Sequence, residues 1–146
     1  MESPSILSHV SIGVADLGRS SAFYDAVLAV LGARRLIDED GAVVYGRIFP
    51  EFGIGRPLDG GPPGVGNGMH FAFLARSRGE VDAFWRVGLE QGATEEGAPG
   101  LRPDYGPGYY ACFLRDPDGH KIEAHVMDDA TEEDTGAAEE AEAHPT

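Results

Sequence analysis

The sequence predicts an α+β fold of two repeated βαβββ units, forming a curved, half-closed mixed sheet of eight strands with helices on its convex face. Three observations carry this expectation. First, His9-Val10-Ser11-Ile12-Gly13-Val14 runs into Gly18, Ala22-Phe23, Leu28 and Gly32-Ala33, and a second copy starts 61 positions later. That copy reads His70-Phe71-Ala72-Phe73-Leu74-Ala75, then Gly79, Ala83-Phe84, Leu89 and, after a one-residue slip, Gly92-Ala93. Second, in each half the apolar residues recur first every two positions, then at helical spacing, then every two again. Third, a Gly/Pro-rich stretch over 57–68 divides the halves.

The elements follow in order. From Ile6 to Val14, Leu7, His9, Ser11 and Gly13 alternate with Val10, Ile12 and Val14, the signature of a strand with one apolar face. Between Arg19 and Leu31, Phe23, Ala26, Val27, Val30 and Leu31 recur at helical spacing, and Gly32 supplies the stop. Strands at 34–37 and 43–49 flank the Asp38-Glu39-Asp40-Gly41 turn, and a short strand at 52–55 closes the first half. In the second half, a strand covers 69–75. Ser77-Arg78-Gly79-Glu80 has the spacing of a capping box, opening a helix that buries Val81, Phe84, Trp85 and Leu89. A short strand at 93–96 leads into a long loop expected over 97–108. Tyr109 to Leu114 and His120 to Met127 then form a hairpin across Asp116-Pro117-Asp118-Gly119.

Composition bounds the class. The chain has 146 residues, enough for one domain with its own core, expected over 1–127 with units of about 5–56 and 68–127. Of 25 acidic residues, eight fall in 128–146 without Lys or Arg, leaving 17 against 11 bases and a body charge near −6. The tail has too few large apolar side chains to offset its ordering entropy and is expected to be disordered. No cluster of Lys and Arg with aromatics points to nucleic acid, and no apolar run approaches the roughly 20 residues of a membrane span. Cys112 is the only cysteine, so no intrachain disulfide forms. With no basic leader region at the N-terminus, the expectation is a cytoplasmic protein acting on a small molecule.

At this point a resemblance is visible. Leu7-Ser8-His9-Val10 with its helix, and Arg115-Asp116-Pro117-Asp118-Gly119-His120-Lys121-Ile122-Glu123, resemble the vicinal oxygen chelate superfamily over about residues 5–127. That group holds glyoxalases, extradiol dioxygenases, epimerases and antibiotic-sequestering resistance proteins. These stretches mark the superfamily rather than one reaction.

Strand phase selects the residues that carry chemistry. In the last strand Ile122, Ala124 and Val126 share the apolar phase, so Lys121, Glu123 and His125 point the other way. His9 and His70 fall in the polar phases of their own strands, which would turn His9, His70 and Glu123 into the cup. A lone strand histidine is ordinarily a hydrogen-bonded core residue, but two imidazoles and a carboxylate on one face suit a divalent ion (Fe, Zn, Ni, Mn or Co). Metal-dependent relatives carry ligands at these positions, so the resemblance implies the same assignment. Glyoxalase-like members add a carboxylate on the last strand of the first unit; here that strand is Phe52-Gly53-Ile54-Gly55, and Glu51 lies at its edge.

Tyr45, Tyr110 and Glu51 are the candidates for proton transfer. Arg47, Arg56, Tyr105 and Tyr109 are candidates for binding substrate, and Arg102 fits either a wall or a surface position. His125 is a candidate for the rim, while His120 and Cys112 read as structural. Two functions follow: a metal-dependent lyase, isomerase or dioxygenase chelating a small oxygen-rich substrate, or a protein that sequesters an aromatic or cationic molecule without turnover. The resemblance also implies a homodimer.

Overall fold

The computed structural model describes residues 5–128, and the chain divides into two compact units, residues 1–64 and 65–146. The acidic tail beyond Asp128, with His144, lies outside the described residues. No described helix is long and apolar enough to cross a membrane.

Unit 1 runs β1 (Val10–Gly13), α1 (Leu17–Val30), β2 (Arg34–Glu39), β3 (Ala42–Gly46) and β4 (Phe52–Gly55). The sheet order is β1-β4-β3-β2, with β1 parallel to β4 and the other pairs antiparallel. Asp16 caps α1 by accepting from the Arg19 amide at 3.1 Å. The helix buries Phe23, Tyr24, Val27 and Leu28, and Tyr24 packs on Phe52 at 5.0 Å between ring centres. Ala26 and Val30, expected in the core, are only half-buried.

Unit 2 repeats the order: β5 (Phe71–Leu74), α2 (Arg78–Glu90), β6 (Thr94–Leu101), β7 (Tyr109–Arg115) and β8 (Lys121–Met127), ordered β5-β8-β7-β6. The βαβββ order of each unit is therefore as the sequence predicts, and the eight strands fall in two four-stranded mixed sheets. Ser77 accepts from the Glu80 amide at 3.1 Å, and Glu80 returns a carboxylate oxygen to the Arg76 amide at 2.8 Å. Val81, Phe84 and Gly88 make the buried stripe; Trp85 is half-buried and Leu89 exposed, contrary to expectation.

The first five residues of the loop expected at 97–108 are strand. β6 continues to Leu101, with register shifts between Glu95 and Gly97 and between Gly97 and Gly100. Pro99 is tolerated because β6 is an edge strand, where a missing amide costs no ladder bond on the open side. A 3-10 turn, Pro103–Tyr105, completes the connection.

Candidate functional site

The β7–β8 hairpin positions the chemistry of unit 2. Asp116 Oδ1 accepts from the Asp118 and His120 amides, both at 2.9 Å, and Gly119 takes the positive φ of 97° that the turn requires. The turn sets a register of Arg115 with Lys121, Phe113 with Glu123, Ala111 with His125 and Tyr109 with Met127. Cys112 and Tyr110 contact α2, through Val81 O and Asp82 respectively. Tyr109, Ala111 and Phe113, and with them Glu123 and His125, therefore occupy the face turned away from the helix.

On that face His70, just ahead of β5, reaches Glu123. His70 Nε2 lies 3.0 Å from Glu123 Oε1, and the Tyr109 hydroxyl donates to Glu123 Oε2 at 2.5 Å. Glu123 is 1 % exposed, so both interactions satisfy a carboxylate cut off from water. The Tyr109 ring stacks on His125 at 4.5 Å and 7°, and takes the edge of Tyr105 at 5.2 Å. Burial first, then the bond to Glu123, pushes the Tyr109 hydroxyl well above its usual range, so it stays protonated and donates. Burial lowers the pKa of His125 against the opposing pull of Glu123, and its Nδ1 is buried without a hydrogen-bond partner among the described residues.

Two cations border the cluster. Arg102 is buried, donates to Gly100 O and Ala98 O at 2.8 Å each, and lies 5.3 Å over the Phe113 ring. Lys121 Nζ stands 5.2 Å from the same ring. Phe113 is thus a hub that the sequence reading missed; its phase beside Tyr109 was the available signal. Arg102 belongs to the wall rather than the surface.

Unit 1 presents less. His9, just ahead of β1, is exposed, and its Nδ1 lies 3.1 Å from Ser8 Oγ, which orients the ring. Glu51, also exposed, precedes β4 in the phase opposite to Phe52 and Ile54, the residues that face the core. The two ladders are equivalent: Ser11 pairs with Gly53 in unit 1 as Ala72 pairs with Glu123 in unit 2. Gly53 therefore holds the place that Glu123 holds in unit 2, and Glu51 matches Lys121.

Three expectations about side-chain direction are corrected. Tyr45 is buried against α1, donating to Asp25 Oδ1 at 2.8 Å and to Ser21 O at 3.1 Å. Tyr110 likewise faces α2, donating to Asp82 at 2.6 Å beneath the Arg78 guanidinium. Burial, then these carboxylate partners, pushes both hydroxyls well up, the reverse of what a proton-transfer group needs at neutral pH. Arg47 donates through Nε to Leu31 O at 2.7 Å, which ties its guanidinium to the carboxyl end of α1. Arg56 is exposed and borders an open hollow of about 770 Å³ with Val14, Asp16, Gly18 and Pro63; that hollow contains none of the proposed ligands.

A divalent ion needs nitrogen and oxygen donors close together. His70 Nε2 and Glu123 Oε1 are donors of the right kind, and a separation of 3.0 Å serves either an N–H···O bond or two neighbouring ligands each about 2.1 Å from one ion. In donor chemistry the pair fits such an ion. Among the described residues no group of three or more His, Cys, Asp or Glu side chains forms a metal-binding cluster.

The repeated βαβββ units with this histidine–carboxylate pair mark a class. The family model of the Glyoxalase/Bleomycin resistance protein/Dioxygenase superfamily matches residues 6–124, and the chain belongs to that superfamily. It is similar to a glyoxalase/bleomycin resistance protein from Albidiferax ferrireducens, at 40% identity over 84% of this chain and 98% of that one, with a TM-score of 0.76. A family enzyme from Burkholderia phytofirmans shares the fold at 22% identity, covering 84% of this chain and 99% of its own, TM-score 0.66. So does the fosfomycin resistance protein FosX from Listeria monocytogenes, at 21% identity, 88% and 96% coverage, and TM-score 0.61. No curated protein matches the chain.

Proposed function

We propose that the protein is a metal-dependent enzyme that binds a small oxygen-rich substrate, with His70 and Glu123 as ligands of one divalent ion. The observation that carries this reading is the approach of His70 Nε2 to the buried Glu123 at 3.0 Å. A carboxylate buried beside an imidazole on one sheet face is expensive to maintain for structure alone. Superfamily membership supports the reading. When bound, the ion would act as a Lewis acid on two neighbouring substrate oxygens, the chemistry shared by lyases, isomerases and dioxygenases. Among this chain's own groups, Tyr105 and Tyr109 offer an aromatic wall beside Glu123. Glu51 is the candidate proton acceptor, being exposed in the phase away from its core.

One observation favours a second reading, capture without turnover. Both Glu123 oxygens already have partners within the chain, so the carboxylate is satisfied without an ion. The stacked Tyr109–His125 pair would suit an aromatic guest.

Elemental analysis of protein purified without chelator or affinity tag separates the two. The enzyme reading expects close to one equivalent of transition metal per chain, falling below about a tenth in His70→Ala and Glu123→Ala. Less than about a tenth in the unaltered protein, with no uptake on reconstitution, would overturn the metal reading and favour capture.

A further inference from the structure

We propose that Tyr109 is the positioning residue for Glu123: its hydroxyl holds Oε2, so that the carboxylate presents Oε1 alone toward His70. The inference rests on the metal reading above and assigns a task to a residue that sequence reasoning placed only among substrate contacts. Four observations converge on it. The hydroxyl-to-carboxylate distance is 2.5 Å, among the shortest neutral-donor contacts a carboxylate accepts. The backbone of Tyr109 is fixed on both sides, its carbonyl accepting from Arg102 N at 2.7 Å and its amide donating to Gly106 O at 3.3 Å. Its ring is held between His125, stacked at 4.5 Å, and the edge of Tyr105 at 5.2 Å. Finally, Glu123 is 1 % exposed, so no bulk water replaces the hydroxyl if it is removed.

The physical consequence concerns both occupancy and geometry. A carboxylate with two free oxygens is able to chelate an ion through both, or to rotate away from it. With Oε2 pinned, rotation about the final side-chain bond is blocked and one oxygen remains for ligation. Partners that orient a ligand in this way typically contribute about 10- to 100-fold in metal affinity. Tyr105 provides the contrast, since it touches the ring of Tyr109 but is 60% exposed and its hydroxyl makes no bond to Glu123.

The test is titration of the full-length, metal-free protein with cobalt(II), read as a dissociation constant by chelator competition and as the visible absorption of the bound ion. Tyr109→Phe keeps the ring and its stack; it should bind cobalt about 10- to 100-fold more weakly and with an altered visible spectrum. Tyr105→Phe should stay within about twofold of the unaltered protein. Near-ultraviolet circular dichroism of each variant reports that the fold is kept. Equal affinity and spectrum in Tyr109→Phe, with cobalt still bound by the parent protein, would overturn the role of Tyr109 and leave the metal reading standing. An equal loss in Tyr105→Phe would overturn it too, because the effect would then belong to the aromatic wall as a whole. Failure of the parent protein to bind cobalt would sink both readings together.

Discussion

Cys112 lies fully buried under α2 with Sγ 3.5 Å from Val81 O, and burial pushes its thiol up to about 12. At pH 8 the folded protein should therefore resist a disulfide reagent such as dithionitrobenzoate, and labelling should follow unfolding by denaturant. Prompt labelling of native protein would show that β7 opens locally. Tyr45 makes a second case at this scale. Its hydroxyl serves Asp25 and the α1 backbone, so Tyr45→Phe should cost about 1 kcal/mol in denaturant stability and leave metal binding unchanged. A fall in metal affinity without loss of stability would return Tyr45 to the site. Tyr45 and Tyr110 were misdirected in the sequence because alternation states which residues share a face but not which face carries the helix. Glu123 was legible because Ile122, Ala124 and Val126 frame it with unmistakably apolar neighbours; flanking tyrosines give no such frame.

Among the elements, the Asp116–Gly119 turn does most to place the site. One carboxylate oxygen of Asp116 satisfies two turn amides and thereby fixes the register that sets Phe113 opposite Glu123. Asp116→Ala should cost about 1–2 kcal/mol, as loss of a capping side chain does, and should lower metal occupancy through the displaced strand. Retained occupancy with lowered stability would show that β8 is held by its other partners. α1 and β2 are joined by Arg35, whose guanidinium donates to Asp25 at 2.8 and 2.7 Å. That bond, against the opposing effect of burial and with help from Tyr45, holds the Asp25 carboxyl below its usual range. A carboxylate whose folded value is depressed contributes stability above its unfolded value of about 4, and the contribution fades as pH falls through the folded value. The stability gap between the parent and Asp25→Asn should therefore be open at pH 6 and narrow below about pH 4; a gap independent of pH would exclude the ion pair as its source. Helices and hairpins were read well from periodicity and caps. β6 was not, since Gly97, Pro99 and Gly100 carry loop chemistry, and only pairing with β7 makes them a strand.

For the whole molecule the decisive feature is a duplication that is unequal where it matters. The βαβββ order repeats, and the residue ahead of the first strand is histidine in both units, which the sequence shows directly. The ladders add what alternation alone does not, that Gly53 stands where unit 2 has Glu123. A Cβ at Gly53 would come within 3.1 Å of Ser11 Oγ and 3.4 Å of Val44 Cγ2, so a carboxylate stem there would require the Ser11 side chain to give way. Unit 1 therefore lacks the buried carboxylate beside its histidine, and a second ion has no matching donor set. Titration of metal-free protein should saturate at one equivalent per chain, not two. Because binding favours only the folded state, free ion at about a hundred times Kd should add about 2.7 kcal/mol, raising Tm by roughly 5–10 °C for a chain of this size. A chelator should reverse the rise, and Glu123→Ala should remove it. Two equivalents in the parent protein would mean that Glu51 reaches its neighbour His9 after all, and that the duplicated halves kept equal chemistry by different residues.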